Sequence, residues 1–284
     1  MYLLFDIGGT KMRLAKSEDH KKVSSIEIVK TPQNFQEGVD LFARIADKLA
    51  DGKKITVAAG GMAGPLDNQK SKLLNAPHLP GWIEKPLKKT LAKNIGSNVY
   101  LENDAALSGL GEATYGSGQG YKIVVYITIS TGVGGARIVN SHIDTNALGF
   151  EPGHQIIEKD GVLCPTCNMP GHLEGYVSGT AIKKRFGKNP KEIKDPKVWD
   201  DIARLLAIGL NNTIVHWSPD IVILGGSVMK SLSTENIRGH LKNILTIFKE
   251  APILKKTALG DTGGLYGAMA LLNQKNYDQN RSDY

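Results

Sequence analysis

The chain has 284 residues, 41% of them hydrophobic and 22% charged, with a formal net charge of +7 and two cysteines. That length can bury a sizeable core in one large or two modest domains, and no apolar run approaches the roughly 20 residues of a membrane span, which excludes a spanning helix. The basic excess is spread over pairs such as Lys53 and Lys54, Lys88 and Lys89, and Lys255 and Lys256, which supports a general attraction to anions, nucleotides included, and no nucleic-acid partner. Asp6 interrupts the opening apolar stretch, so no signal peptide is expected and the chain is placed in the cytoplasm.

A buried strand over residues 2–5 runs into Asp6-Ile7-Gly8-Gly9-Thr10-Lys11. The glycines let the backbone turn sharply and aim N–H groups at an anion, Thr10 and Lys11 complete a phosphate site, and Asp6 can hold Mg²⁺ through water. A plain hairpin turn has the same local pattern. Two further strands are expected at 12–16 and 24–29. Asn34 and Glu37 then make a capping-box start for a helix with Phe35, Val39, Phe42, Ile45 and Leu49 on one face, ended by Gly52. A strand at 55–59, a loop rich in Gly and Pro at 60–82 and a short strand at 98–101 lead to Glu102-Asn103-Asp104 and a helix through Tyr115.

The second half repeats the opening theme: a strand at 123–129, the turn Ser130-Thr131-Gly132-Val133-Gly134-Gly135, and a strand at 135–139, as a duplicated α/β architecture would show. An irregular stretch at 144–179 follows. A helix at 196–216, a strand at 221–224, the turn Gly225-Gly226-Ser227, more helix, and Gly263-Gly264 opening a terminal helix complete the order. The tail, 276–284, is polar and expected to fray.

Asp104 stands where a strand meets a helix, which suits either a helix cap or a carboxylate beside an attacking hydroxyl. Glu151 and Glu174, each taken alone, read as surface charges. Cys164 and Cys167 have the spacing of metal ligands or a redox pair rather than a structural disulfide. With His154 and His172 they offer four soft or borderline ligands, which is tetrahedral zinc chemistry with no open position and hence structural. Two free thiols and two surface histidines are the alternative. No G-x-x-x-x-G-K-[ST] occurs, which disfavours a P-loop ATPase.

In this order and spacing, from Asp6-Ile7-Gly8-Gly9-Thr10-Lys11 through Glu102-Asn103-Asp104 and Glu151-Pro152-Gly153-His154 to Gly263-Gly264, the chain resembles the ROK group of sugar kinases within the actin-like, hexokinase-like ATPase superfamily. The resemblance implies an α/β, two-lobed actin-like ATPase (ribonuclease H-like) fold, with duplicated mixed sheets flanked by helices and a cleft between lobes. The smaller lobe is expected over 1–105, completed by a helix at 262–284; the larger covers 106–261, with a zinc loop at about 150–175. ATP and Mg²⁺ would be held by Asp6, Gly8, Gly9, Thr10, Lys11, Thr131, Gly132 and Gly134, with Gly225, Gly226 and Gly263 admitting the adenosine. Asp104 would be the catalytic base, with Asn103, Glu151, His154, Glu174 and Gly64 as sugar contacts and Asn75 and His78 within reach.

The same resemblance makes His154, Cys164, Cys167 and His172 a structural Zn²⁺ set that fixes His154 and Glu174 against the sugar. Related kinases carry Cys-x-Cys-x4-Cys after a His; here a residue is inserted and His172 stands last. They also place Gly before the glutamate and an aliphatic residue after it, where this chain has Phe150 and Pro152. The implied activity is ATP-dependent phosphorylation of the primary hydroxyl of a hexose, glucose to glucose 6-phosphate foremost, by a cytoplasmic homodimer without nucleic-acid or membrane partners. N-acetylmannosamine, N-acetylglucosamine and fructose are the alternative acceptors. A ROK-type sugar-sensing regulator is disfavoured because the first glycine turn begins at residue 8, leaving no room ahead for a helix-turn-helix. A zinc-dependent nucleic-acid binder is disfavoured because no cation follows His172 until Lys183.

Overall fold

The structure, a computed structural model, describes residues 1–282, with side chains described through Lys275. The side chains of 276–282, and 283 and 284 entirely, lie outside the described residues, and with them the expectation of a frayed tail.

The opening apolar run forms β1 (Tyr2–Ile7), antiparallel to β2 (Lys11–Ser17), which is in turn antiparallel to β3 (Ser24–Lys30). Leu3, Leu4, Phe5 and Ile7 of β1 are fully buried, as a central strand covered on both faces requires. α1 (Phe35–Ala50) begins where Asn34 Oδ1 accepts the Glu37 N–H at 3.1 Å, and it buries Val39, Phe42, Ile45 and Leu49, the face its periodicity marks. β4 (Val57–Met62) pairs parallel with β1 and runs beyond the expected 55–59. Gly60, expected to open a loop, lies inside this strand because the Phe5 ring of β1 fills the space beside it: a Cβ on Gly60 would stand 2.2 Å from Phe5 Cδ2.

The segment that follows is held by Trp82, which is buried and donates from Nε1 to Pro32 O at 3.0 Å. α2 (Leu87–Ile95) buries only Leu87 and Leu91, too thin a stripe to mark it in the sequence. β5 (Asn98–Asn103) pairs parallel with β4 and passes directly into α3 (Asp104–Tyr115). The five strands lie in the order β3-β2-β1-β4-β5.

β6 (Ile123–Ile129), β7 (Val133–Val139) and β8 (His142–Ile143) form a second antiparallel meander. The irregular stretch condenses at its end into α4 (Glu174–Val177) and α5 (Gly179–Phe186), followed by α6 (Pro196–Trp217). β9 (Ile221–Gly225) is buried along its whole length and parallel to β6; after α7 (Thr234–Ile244), β10 (Ile253–Lys256) pairs parallel with β9. This sheet has the order β10-β9-β6-β7-β8. Each sheet is thus an antiparallel meander whose first strand continues through two parallel neighbours, the duplication that the repeated strand-turn-strand pattern implies. α8 (Gly263–Ser282) closes the described chain.

The chain divides into two compact units, the first comprising Met1–Tyr115, Thr145–Gly149 and the chain from Asp261, the second Gly116–Asp144 and Phe150–Gly260. α3 falls in the first, past the expected boundary at 105, because it packs backbone to backbone on α8. A Cβ on Gly111 would stand 2.4 Å from Gly263 O, and one on Gly267 1.8 Å from Leu107 O. The first unit's core is built on Phe5, Phe42 and Trp82, the second's on β6, β9 and the buried face of α6. Among the described residues no helix is long and apolar enough to cross a membrane.

Candidate active site

The first glycine turn connects β1 to β2, and every carbonyl in it is tied back by the protein. Gly8 O accepts from Thr31 Oγ1 at 2.7 Å, Gly9 O from Gln33 Nε2 at 3.3 Å, Thr10 O from Thr31 N–H at 3.1 Å, and Lys11 O from Gly8 N–H at 2.9 Å. Among the described residues the N–H groups of Gly9 and Thr10 have no protein partner, and the Thr10 and Lys11 side chains are exposed. Carbonyls held away and consecutive amides left open make a concavity suited to an anion. Thr31 and Gln33, which set this geometry, carry no signal in the turn's own sequence.

Asp6 lies at the mouth of this turn, opposite Arg13 in the β1–β2 register, and accepts from Arg13 Nη1 at 2.9 Å. Burial raises its carboxyl above the ordinary carboxylate range, with Arg13 opposing the rise. The amino end of α8 comes against it: a Cβ on Gly264 would stand 3.5 Å from Asp6 Cγ. A helix start beside a carboxylate is electrostatically favourable. Gly263, expected beside the adenosine, is placed in this first unit against Ser108.

In the first unit the ends of β4 and β5 carry three of the expected sugar contacts, Gly64, Asn103 and Asp104. Asn103, last in β5, caps α3: its Oδ1 accepts from Ala105 N–H at 2.9 Å and Ala106 N–H at 3.1 Å, while Nδ2 donates to Gly64 O at 3.3 Å. Asn103 therefore performs most of the capping that the sequence offers to Asp104. Asp104 is the first residue of α3, with Oδ1 2.8 Å from Ala105 N, and its Cα lies 3.1 Å from where a Gly61 Cβ would stand. Gly64 has φ 121°, and a Cβ there would meet Asn75 O at 2.3 Å. His78 sits against the first glycine turn, its Cβ 2.4 Å from a Cβ built on Gly9.

In the second unit the β6–β7 turn is built the same way. Ser130 O accepts from Gly179 N–H at 2.7 Å, Thr131 O from Thr180 N–H at 3.3 Å and Gly132 O from Ser130 N–H at 2.9 Å. Among the described residues the N–H groups of Thr131 and Gly132 have no protein partner; Gly134 is drawn into the β7 ladder opposite Thr128. The Gly225-Gly226 turn presses on the end of β6, since a Cβ on Gly226 would stand 2.2 Å from Ile129 O.

His154, Cys164, Cys167 and His172 converge in the same unit, their ligand atoms all within 4.8 Å of one another. His154 Nδ1 and His172 Nδ1 are 3.2 Å apart, and Cys167 Sγ lies 3.5 Å and 3.3 Å from them. A tetrahedral ion with metal–N of about 2.0 Å and metal–S of about 2.3 Å places its ligands about 3.3 Å (N to N) and about 3.5 Å (S to N) apart, which His154, His172 and Cys167 match; Cys164 Sγ lies within 4.8 Å of all three. Desolvation, followed by His154, lowers the His172 pKa, which keeps its imidazole in the neutral form a metal needs. Burial pushes the Cys164 thiol up to about 11, so a thiolate there requires a cation beside it.

Glu174 is buried, and both its oxygens are engaged: Oε2 accepts from Val133 N–H at 2.9 Å, Oε1 from Thr166 Oγ1, with Cys164 Sγ at 3.6 Å. Its carboxyl group thus touches both the glycine turn and the Cys/His loop. Glu151 reaches solvent but is largely surrounded by protein, and desolvation raises its carboxyl, with His154 opposing and Glu174 adding. Phe150 packs edge-on to Trp217, ring centroids 5.0 Å apart, and Pro152 opens a short 3₁₀ turn that ends at His154.

The model of the ROK family matches residues 2–275. The chain is 27% identical to a glucokinase of Thermotoga maritima, covering 95% of this chain and 96% of the relative. It is 28% identical to an N-acetyl-D-glucosamine kinase of Mannheimia succiniciproducens, covering 95% of this chain and 99% of the relative. A crystal structure of a ROK family glucokinase from Streptomyces griseus, in complex with glucose and AMPPNP, superposes with a TM-score of 0.82 at 28% identity, covering 96% of this chain and 99% of that one.

Proposed function

We propose that this chain, which belongs to the ROK family, transfers the γ-phosphate of ATP to the primary hydroxyl of a hexose, glucose foremost. The observation that carries the reading is the matched construction of the two glycine turns. Each has its carbonyls tied back and two consecutive amides left open, Gly9 and Thr10 in one, Thr131 and Gly132 in the other. Phosphoryl transfer asks for alignment and charge neutralisation, and amides and Lys11 supply both to phosphate oxygens. In this reading Asp104 orients the primary hydroxyl and accepts its proton, and Asn103, held by its cap and by Gly64 O, keeps one amide hydrogen for a neighbouring hydroxyl. Glu151 and His154 take further hydroxyls. Gly225 and Gly226, which close on Tyr126 and Ile129, would form the turn beside the adenosine.

Asp6 would hold Mg²⁺, whose part is to neutralise charge on the transferred phosphate. His154, Cys164, Cys167 and His172 would hold Zn²⁺, a structural ion that orders the irregular loop. The family resemblance makes the protein a cytoplasmic homodimer in this reading. A second reading, phosphorylation of an N-acylated amino sugar, is favoured by the 28% identity to an N-acetyl-D-glucosamine kinase beside the 27% identity to a glucokinase.

A coupled ADP-release assay across glucose, mannose, fructose, N-acetylglucosamine and N-acetylmannosamine tests the proposal. Turnover is expected with glucose, and Asp104→Asn should lower kcat by roughly 10²-fold while sugar affinity is retained. ADP release with none of these sugars, or full turnover by the Asn variant, would overturn it.

A further inference from the structure

Glu174 is a carboxylate through which the Cys/His loop reaches the β6–β7 turn by a side chain. Its position follows from the local chain: it lies two residues after His172 and opens α4, and Gly175, next in line, packs on the Cys164 backbone, a Cβ there falling 3.4 Å from Cys164 Cα. One oxygen takes the Val133 N–H at 2.9 Å; the other takes the Thr166 hydroxyl and faces Cys164 Sγ at 3.6 Å. The fit is close on the turn side as well, since a Cβ on Gly132 would stand 2.7 Å from Glu174 Oε2. A buried carboxyl oxygen binding a backbone amide is a directional restraint. It takes the Val133 amide out of the set an anion could use and fixes the peptide planes of Thr131 and Gly132, whose amides remain open.

Resting on the kinase reading above, we infer that Glu174 is a positioning residue for the nucleotide: it transmits the order of the metal loop to the β6–β7 turn, so that metal occupancy sets nucleotide affinity. This is a task additional to any contact with sugar. An unloaded loop would let Thr166 drift, Glu174 would lose the hydroxyl hydrogen bond on one oxygen, and the turn's amides would lose their common direction. The inference places the coupling on a hydrogen-bonded path within one compact unit, with no change in the ligand set itself.

The test measures binding of AMPPNP with magnesium by calorimetry, without sugar, on the full-length protein before and after zinc removal by a chelator, alongside zinc content and sugar affinity. Loss of one hydrogen bond corresponds to about a tenfold change in affinity. Chelation of the wild type and Glu174→Ala should therefore each weaken AMPPNP binding about tenfold. Chelating the Ala variant should add little. Glu174→Gln, which can still accept from Val133 N–H, should stay within about threefold of the wild type. Thr166→Val, an exposed change that spares all four metal ligands, should weaken AMPPNP binding with zinc content unchanged, and it keeps the test decisive if Glu174→Ala does not fold. AMPPNP affinity equal to wild type in Thr166→Val and in the chelated protein would overturn the inference and leave the kinase reading standing. A wild type that binds no AMPPNP at all would overturn both.

Discussion

Replacing Arg13 by Met isolates the buried ion pair behind the first glycine turn. Arg13 and Asp6 side chains are 15% and 16% exposed and their charged atoms are 2.9 Å apart. At an effective dielectric of about 20 the attraction between charges 2.9 Å apart is about 6 kcal/mol before desolvation is subtracted. Removing the cation leaves Asp6 buried and charged, yet the penalty has a ceiling, because the protein can protonate Asp6 instead. That costs about 1.4 kcal/mol per pH unit above the ordinary value of 3.8, or about 4 kcal/mol at pH 7. Protonation is the cheaper outcome, and the wild type, whose Asp6 is itself raised by burial, already carries part of that cost, so the expected loss at pH 7 is under about 4 kcal/mol. Asp6 is already raised by burial, and losing Arg13 raises it further. For a raised carboxylate, stability is fully present below its unfolded pKa and is lost as pH rises through its folded pKa. The gap between wild type and Arg13→Met should therefore close on acidification, to under about 2 kcal/mol at pH 5. Urea unfolding at both pH values measures it, and an Asp6→Asn, Arg13→Met double variant should recover most of the pH 7 loss. A gap that is unchanged or wider at pH 5 would refute the argument.

Gly64→Ala combines a positive φ with a Cβ 2.3 Å from Asn75 O, so thermal unfolding should show a loss of about 2 kcal/mol or more; a neutral substitution would mean the loop can move aside. Asn34→Ala removes the acceptor of the Glu37 N–H and should cost about 1 kcal/mol in urea, whereas an unchanged midpoint would show that the cap is idle. Cys164→Ser should reduce zinc from about one ion per chain to near zero by atomic spectrometry and loosen the loop to protease; wild-type protein that purifies active without zinc would sink the structural-metal assignment.

Much of the frame was legible in the chain because it depends on near neighbours. The periodicity of α1, the apolar runs of β1, β6 and β9 and the glycine pairs after them are local, and each reappears at its expected place within a few residues. α2 and β10 were not legible, since one has a thin apolar stripe and the other reads Ile-Leu-Lys-Lys at a sheet edge. Gly60 and Gly61 looked like a loop because what they pack against, the Phe5 ring for Gly60 and the Asp104 backbone for Gly61, belongs to segments far away in the chain.

The sequence by itself determined which residue types stand at the strand ends, how the strand-turn-strand pattern repeats, and that four soft or borderline metal ligands share one loop. Tertiary structure alone decided how they are used. The β1–β2 register sets Arg13 against Asp6, the backbone at the end of β5 makes Asn103 the cap, and the folding of the Cys/His loop onto the β6–β7 turn commits Glu174 to Val133. The physical reason is range: turn and helix preferences arise from adjacent residues, whereas a hydrogen-bond partner is chosen by strand register and packing between segments far apart in the chain.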